Sequence, residues 1–318
     1  MASVNSGVEK TLSKLQKSVE DGNYYEAHQM YNSICQRYLK QRKVQEAVRL
    51  VHSGALNLQA VREFGSALDL CNRLLEIYDG QGFELNDQNR ALLVELFDGF
   101  PVDEPKLKDF IKSSLKWSTK AGAPATGDPV LHHVFGLRFY RERYYYDAEH
   151  HFLQGPLESA KAAGYMAAEW SQLDTHLDPA YPIARTALAL LAVNKPSSAS
   201  SALDSYLQKL NSEPQGAKVD ADSVSIQLHR SPLINFIKFI LMAVERSVSA
   251  SSEFLRIRAK YQDLLQVDPA FTVYVDKIAA IYFDLGPKRQ SNPFEEIMRS
   301  LLGGGSQPQT SRRIGGGI

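Results

Sequence analysis

Two pairs of adjacent histidines are the residues of this sequence whose type could support metal chemistry. His132 and His133 form one pair, and His150 and His151 form the other. Adjacent residues of a helix point about 100° apart, so we expect one histidine of each pair to pack between helices while the other faces water. No HExxH motif and no cysteine and histidine spacing typical of zinc accompanies the pairs. The sequence therefore predicts no metal site.

Motifs of nucleotide binding and of nucleophilic catalysis are also missing from the sequence. It contains no GxxxxGK[ST], GxGxxG or GxSxG run. The acidic pairs Asp103-Glu104 and Glu295-Glu296 fall in predicted first helical turns, where carboxylates interact favourably with the helix dipole. We therefore expect no enzyme, no catalytic residue and no cofactor. A hydrolase or transferase is the alternative of a different class, and it would need a deep pocket with convergent titratable groups.

The two cysteines, Cys35 and Cys71, both fall on apolar helix faces. Two isolated cysteines make neither a disulfide framework nor a zinc knuckle, so we expect both to be small core residues. The first ten residues contain no hydrophobic run, and the longest apolar stretch, Leu233 to Val244, is too short to span a bilayer. We therefore expect a cytosolic protein without direct membrane insertion.

The charge balance argues against one class of partner. The 36 lysines and arginines equal the 36 aspartates and glutamates, so the formal net charge is zero. Nucleic-acid-binding proteins carry a basic footprint, so we expect no nucleic-acid partner. With 44% hydrophobic and 23% charged residues, the composition is typical of a folded soluble protein.

Apolar residues recur at helical spacing through most of the chain, which predicts an all-α fold. In three consecutive segments a large residue precedes an alanine by three positions: Tyr24/Ala27, Val44/Ala47 and Phe64/Ala67. The alanines recur every 20 residues, so one helical hairpin takes about 40 residues, a period typical of stacked antiparallel helix pairs. Because the Trp, Gly and Pro signature of a tetratricopeptide repeat (TPR) is missing, we predict an irregular, TPR-like alpha-solenoid of stacked helical hairpins.

Turn signals rich in proline and glycine separate the remaining predicted helices. These helices span about 88–98, 104–121, 129–142, 145–154, 157–173, 180–193, 197–211, 232–247, 252–267 and 270–284. One segment departs from the helical period, because Val224, Ile226 and Leu228 alternate with polar residues as in a strand. We therefore predict a short β-hairpin or extended loop at 218–230, inserted among the helices.

The end of the chain divides into a short helix and a tail. In SNPFEEIMRSLLGGG, Asn292 can cap a helix, Pro293 suits the first helical position and Gly303 can stop it. We therefore predict a short amphipathic helix at 291–302. Residues 303–318 hold too few apolar side chains to fold, and we predict a disordered tail there.

A local basic surface lies near the start of the chain. It comprises Lys10, Lys14 and Lys17 on the first predicted helix and Arg37, Lys40, Arg42 and Lys43 around the end of the second. A charge run is commonly only a solvated face. Because the whole chain is neutral, any partner of this surface is expected to be an acidic protein surface.

Four long blocks of the chain carry a family resemblance. They are GNYYEAHQMYNSICQRYLKQRKVQEAVRLVHSGAL, VDEPKLKDFIKSSLKWS, GDPVLHHVFGLRFYRERYYYDAEHHFLQG and NPFEEIMRSLLGG. On these blocks the chain closely resembles the Get4 family, the Golgi-to-ER traffic subunit of the tail-anchored protein targeting pathway. The resemblance extends over about residues 8 to 304 and is weakest at 190–260. It implies a cytosolic, non-enzymatic alpha-solenoid adaptor.

The resemblance also implies two protein partners. In the family, the N-terminal helices contact the targeting ATPase, and the C-terminal helices hold the N-terminal segment of a ubiquitin-like-domain cochaperone or, in animals, of a BAG-domain scaffold. The ATPase-contacting positions correspond here to Lys10, Lys14, Tyr24, Arg37, Lys40 and Asp69. Tyr24 also lies on the apolar stripe that the helical period assigns to the core.

The cochaperone site is expected at the 218–230 segment, which resembles the family's short hairpin beside the cochaperone groove, and at the apolar helix 232–247. A helix that is apolar on most sides needs cover on most sides, and at a solenoid's end the chain itself can leave part of it open. The expected contact residues are Val224, Ile226, Leu228, Leu233, Phe236, Ile237 and Ile240.

These expectations divide the chain at about residue 155. The half at 8–155 is expected to bind the ATPase and the half at 156–288 the cochaperone. The predicted function is an adaptor that bridges both partners and regulates client handover during targeting of tail-anchored proteins to the ER. The alternative is a generic alpha-solenoid subunit of another assembly, of the lid or coat type.

Overall fold

The computed structural model describes the backbone of residues 2–173, 178–211, 218–221 and 224–285. The predicted helix at 291–302 and the predicted tail at 303–318 lie outside the described residues. Eight helices build the first part: α1 (Ala2–Glu20), α2 (Tyr24–Lys40), α3 (Val44–Ala60), α4 (Phe64–Gly80), α5 (Asp87–Asp98), α6 (Leu107–Lys120), α7 (Pro129–Arg141) and α8 (Tyr145–Phe152).

Seven further helices and a pair of strands follow. The helices are α9 (Leu157–Trp170), α10 (Tyr181–Ala192), α11 (Pro196–Lys209), α12 (Pro232–Arg246), α13 (Ser251–Lys260), α14 (Gln262–Leu265) and α15 (Pro269–Phe283), with a 3₁₀ turn at Ser247–Ala250. Strands β1 (Lys218–Ala221) and β2 (Val224–Gln227) pair antiparallel, with Val219 opposite Ile226. The all-helical character predicted for the core is confirmed, since helices supply the hydrophobic clusters described below.

The helices α2, α3 and α4 repeat with a constant period. Each has 17 residues, and three-residue turns separate them. The middle residue of each separating turn, Arg42 or Arg62, has a left-handed backbone with φ of 61° or 63°. This conformation lets the next amide, of Lys43 or Glu63, donate a 2.9 Å hydrogen bond to a carbonyl in the last turn of the preceding helix. The 20-residue spacing of the alanines is therefore one helix plus one turn.

Two hydrophobic clusters share helix α9. The first extends from Leu15 on α1 to Met166 on α9, and the second from Ala160 on α9 to Phe283 on α15. Cys35 and Cys71 are fully buried in the first cluster, as their apolar helix faces predict. The predicted division at residue 155 precedes the shared helix.

One predicted helix is interrupted in the structure. The sequence period predicts a continuous helix over 252–267, but α13 ends at Lys260 and α14 begins at Gln262. The interruption is at Tyr261, whose ring packs 5.3 Å from the ring of Phe236 on α12, measured between centroids. A contact with a distant helix is not contained in local periodicity, so the sequence does not show this break.

A network of polar side chains connects α8 to the second cluster. The buried Glu149 carboxylate on α8 accepts hydrogen bonds from Arg185 Nε at 2.7 Å and Thr186 Oγ1 at 2.9 Å, both on α10. Asp268, which caps the start of α15, accepts from Tyr181 Oη and lies 3.8 Å from Arg185 Nη1. The network fixes α8, α10 and α15 relative to one another.

Helices α9 and α11 approach each other closely at Gly164. A Cβ atom at this position would lie 2.2 Å from the carbonyl oxygen of Ala202, which belongs to the backbone of α11. Backbone atoms inside a helix cannot move aside without disturbing its hydrogen bonds. The close packing of these helices therefore requires glycine at this position.

We expect Gly164→Ala to reduce the free energy of unfolding by about 1–3 kcal/mol, the usual cost of overpacking. Gly65 on α4 is a matched control, because a Cβ there would meet nothing within 4 Å. Gly65→Ala should leave stability unchanged or raise it by up to about 1 kcal/mol, since alanine is the better helix former. Urea denaturation of both variants measures the difference, and equal stabilities would contradict the tight α9–α11 contact.

Candidate partner-binding surfaces

The predicted basic surface at the start of the chain is exposed in the structure. Lys10, Lys14 and Lys17 are exposed on α1, and Arg37 and Lys40 are exposed in the last turn of α2. The turn between the two helices takes three residues, so α1 and α2 run antiparallel, and the start of α1 lies beside the end of α2. Cations at a helix C-terminus also interact favourably with its dipole. We call these five residues the α1–α2 basic surface.

Two other predicted ATPase contacts, Tyr24 and Asp69, lie near each other. Tyr24 is half-buried and packs against the first cluster, in agreement with its place on the apolar stripe. Asp69 on α4 is 58% exposed, and its Oδ2 accepts a 2.7 Å hydrogen bond from His28 Nε2. His28 follows Tyr24 by one helical turn on α2, so Asp69 is held against the same side of α2.

The structure corrects one part of the predicted cochaperone site. Leu233, Phe236, Ile237 and Ile240 are each at most 1% exposed and belong to the second hydrophobic cluster. The expectation that they form an open binding face is wrong for this structure, because the chain's own helices cover them. The remaining contact candidates are Leu228, which is half-buried, and Val224 and Ile226, whose side chains lie outside the described residues.

The segment between β2 and α12 is attached to the first turn of α12 by Asn235. The Asn235 side chain accepts a hydrogen bond from the His229 amide at 2.6 Å and donates to the His229 carbonyl at 2.7 Å. Both bonds are short, and Asn235 is largely buried. This amide therefore fixes the point at which the 218–230 segment leaves α12.

An apolar groove lies between α12 and α13. Its volume is about 640 Å³, and half-buried Phe239, Met242, Ile257 and Tyr261 supply its large apolar side chains. The charged side chains along it are Arg246, Glu253, Arg256 and Lys260. Arg246 Nη2 lies 3.7 Å from Glu253 Oε1, so one ion pair spans part of the rim. We call this feature the α12–α13 groove.

Sequence reasoning missed the groove residues for an identifiable reason. The apolar residues of α12 occur on most sides of the helix, so its pattern does not show which side the rest of the chain leaves open. For Ile257 and Tyr261 the sequence did carry a signal of a shared side, because they are four residues apart within the predicted helix 252–267. The hydrogen bond between His28 and Asp69 was also missed, since 41 residues separate its partners.

The adjacent histidines meet each other in the interior. His132 on α7 is 2% exposed and His151 on α8 is 6% exposed, and their Nδ1 atoms are 2.9 Å apart. His132 Nε2 donates a hydrogen bond to the Thr126 carbonyl at 3.0 Å. Its unprotonated Nδ1 therefore accepts a hydrogen bond from His151 Nδ1. His150 is exposed, as expected for that pair, whereas His133 is half-buried and its Nδ1 lies 2.8 Å from Ser159 Oγ.

The histidine pair has the chemistry of a structural contact. Among the described residues, no group of three or more histidine, cysteine, aspartate or glutamate side chains is placed to hold a metal ion. Burial lowers the pKa of His132, and burial together with the neighbouring His132 lowers the pKa of His151 to about 3. Both imidazoles are therefore neutral near pH 7. Protonation of His151 would leave its Nδ1 hydrogen bond to His132 in place but would put an unpaired positive charge in the interior.

We expect this pair to make stability depend on pH. The unfolded chain protonates His151 with the ordinary pKa of about 6.5, while the folded chain keeps it neutral down to about pH 3. Between these values the unfolded chain binds more protons, so stability falls as the pH is lowered. The loss from His151 should reach about 2 kcal/mol at pH 5, since one pKa unit corresponds to about 1.4 kcal/mol.

Urea denaturation between pH 7.5 and 5 measures this effect. His151→Gln should flatten the pH dependence, because glutamine can still donate to His132 but does not titrate. His150→Gln, which changes the exposed neighbour, should retain the wild-type dependence. Identical pH dependence in all three proteins would contradict the assignment.

Among the described residues, no helix combines the length and the apolar character needed to cross a membrane. The two candidate surfaces, the α1–α2 basic surface and the α12–α13 groove, lie on separate helices.

Comparison with known proteins agrees over most of the chain. Residues 41–302 match the family described as GET4, Golgi to ER traffic protein 4. The chain is 32% identical over 303 residues to Golgi to ER traffic protein 4 homolog B of Xenopus laevis, covering 94% of this chain and 89% of the relative. It is 31% identical over 307 residues to the human Golgi to ER traffic protein 4 homolog, covering 95% of this chain and 89% of the relative.

A solved structure agrees with the sequence relatives. The crystal structure of C. therm. Get4 superposes with a TM-score of 0.79 at 28% identity, covering 96% of this chain and all of that one. The match to the family spans more than half of the chain, and relatives above 30% identity cover nearly all of it. The chain therefore belongs to the Golgi to ER traffic protein 4 family.

Proposed function

We propose that this protein is a cytosolic, non-enzymatic adaptor in Golgi-to-ER traffic that serves the targeting of tail-anchored proteins to the ER. It bridges a targeting ATPase and a ubiquitin-like-domain cochaperone, so that the client can pass from one to the other. The observation that carries this proposal is the presence of two surfaces of different chemistry on separate helices. One is the α1–α2 basic surface, and the other is the α12–α13 groove.

The α1–α2 basic surface suits an acidic partner. Its lysines and arginines are exposed, and α2 presents two of them at its C-terminus. Exposed charges of this kind act mainly on the association rate and on its salt dependence. We assign the ATPase contact to Lys10, Lys14, Arg37 and Lys40, with Tyr24 and Asp69 toward the opposite end of α2. Because His28 holds Asp69, the carboxylate reaches a partner at a fixed position.

We expect Arg37→Glu combined with Lys40→Glu to slow association with the ATPase by about tenfold or more at low ionic strength. The salt dependence of the remaining association should become shallower. Stopped-flow or surface-based kinetics at two salt concentrations measures both effects. Lys161→Glu combined with Lys277→Glu is a matched control, because it reverses two exposed lysines on α9 and α15. Equal rates in the two double variants would contradict the assignment.

The α12–α13 groove suits an apolar segment of the cochaperone. Its open aromatic and aliphatic side chains can bury apolar groups, and the charged rim can pair with polar groups at the edge. The neighbouring 218–230 segment, with Val224, Ile226 and Leu228, stays a candidate contact. Four buried residues of α12 hold this helix in place through the second hydrophobic cluster and so support the groove indirectly: Leu233, Phe236, Ile237 and Ile240.

We expect Met242→Asp to weaken binding of the cochaperone's N-terminal segment by at least tenfold, because the carboxylate removes an apolar contact and must lose its hydration when the segment covers the groove. Leu255→Asp is the matched control, since Leu255 is 48% exposed on α13 and does not line the groove. Titration calorimetry measures the affinities, and circular dichroism with thermal melting checks the fold. Unchanged binding by a folded Met242→Asp variant would exclude the groove.

A generic subunit of a lid-type or coat-type assembly is the second candidate. This candidate is compatible with the same architecture, which we propose to be an irregular, TPR-like alpha-solenoid with an inserted hairpin. With either candidate, we propose separate partners for the halves at 8–155 and 156–288, because the α1–α2 basic surface lies in the first half and the α12–α13 groove in the second. Pulldown from cytosol with mass spectrometry distinguishes the candidates, because only the proposed adaptor recovers the ATPase and the cochaperone together.

A further inference from the structure

Four lysines form a row along α6. Lys108, Lys112, Lys116 and Lys120 follow one another at intervals of four residues and are all exposed. Side chains four residues apart on a helix are neighbours, and like charges at this spacing repel each other. The row lies on neither the α1–α2 basic surface nor the α12–α13 groove. We call it the α6 lysine row.

Among the described residues, acidic partners are present only at the two ends of the α6 lysine row. Lys108 Nζ lies 2.8 Å from Asp147 Oδ1 on α8, and Lys120 Nζ lies 2.6 Å from Asp79 Oδ2 on α4. Within the described residues, Lys112 and Lys116 form no ion pair. The centre of the row therefore keeps a repulsion that an acidic partner would relieve.

A cleft of about 720 Å³ lies on the α8 side of the row. All four lysines line it, and among the described residues Asp147 is the one acidic side chain in its lining. Its apolar lining residues include Ile111 and Leu115 of α6 and Phe139 of α7, and Thr119, Thr126, His150 and His151 also line it. The cleft thus combines a row of lysines with apolar and polar side chains.

The opposite side of α6 differs in charge. A smaller cavity there, of about 380 Å³, is lined by Glu76, Asp79 and Asp109 together with Lys116 and Lys120. A long polyanion lying across α6 would meet these carboxylates. An anionic group on the α8 side would meet lysines instead. The asymmetry favours a short acidic ligand over a nucleic acid or an anionic membrane surface.

We propose that the cleft between α6 and α8 binds an acidic peptide segment of a partner protein, with an apolar side chain of that segment inserted against Ile111 and Leu115. The carboxylates of the segment pair with Lys112 and Lys116. Because a single ion pair at an exposed rim adds less than about 1 kcal/mol, the affinity comes from the apolar side chain together with several ion pairs along the row. This site goes beyond the adaptor function proposed above and uses a separate surface.

The test uses the full chain and a fluorescein-labelled peptide of twelve residues that alternates pairs of glutamate with single leucines. Fluorescence anisotropy at low and at physiological salt gives its dissociation constant. We expect Lys112→Glu combined with Lys116→Glu to weaken binding at least tenfold. Lys161→Glu combined with Lys277→Glu is the control of equal charge change and should bind like the wild type.

Two altered probes separate the contributions of charge and apolar contact. A peptide with serine in place of leucine, and one with glutamine in place of glutamate, should each bind at least tenfold more weakly. Equal binding by the serine peptide, or by the two double variants, would overturn the proposal. Tighter binding of a single-stranded oligonucleotide, or of phosphatidylserine vesicles, than of the glutamate and leucine peptide would also overturn it.

Discussion

The buried carboxylate of Glu149 determines how the two hydrophobic clusters are joined. Its side chain is 4% exposed on α8, and Arg185 and Thr186 of α10 satisfy both of its oxygens. An ionised carboxylate out of water costs several kcal/mol unless it is paired and hydrogen-bonded. Helices α8 and α10 must therefore keep their relative position for the chain to remain folded.

Arg185 also fixes the position of α15, the last described helix, relative to α8 and α10. Its guanidinium lies 5.1 Å from the ring centroid of Tyr146 and 3.8 Å from Asp268, the residue that caps α15. Burial alone would lower the pKa of Arg185, but the neighbouring Glu149 carboxylate outweighs this effect and raises the pKa. Arg185 therefore keeps its positive charge. The adaptor function proposed above needs a junction of this kind between the helices that carry the two candidate surfaces.

The sequence predicts local structure well and contacts between distant residues poorly. The period of 20 residues predicts α2, α3 and α4, because a helix and its turn are determined by residues close in sequence. Glu149 and Arg185, by contrast, are 36 residues apart. The covered side of α12 depends on how α10, α11 and α13 pack around it. The lysine spacing on α6 was visible in the sequence, but its cleft requires α8 beside it.

Zero net charge hides a local arrangement of charge on which the proposed function depends. Fields of exposed charges fade within about 8 Å at physiological ionic strength, so a partner responds only to the charges that it directly approaches. The α1–α2 basic surface and the α6 lysine row can therefore select acidic partners although the whole chain is neutral. Apolar contact must then supply most of the affinity, since exposed ion pairs supply little. The α12–α13 groove and the cleft beside α6 fit this division, because each combines apolar and charged lining residues.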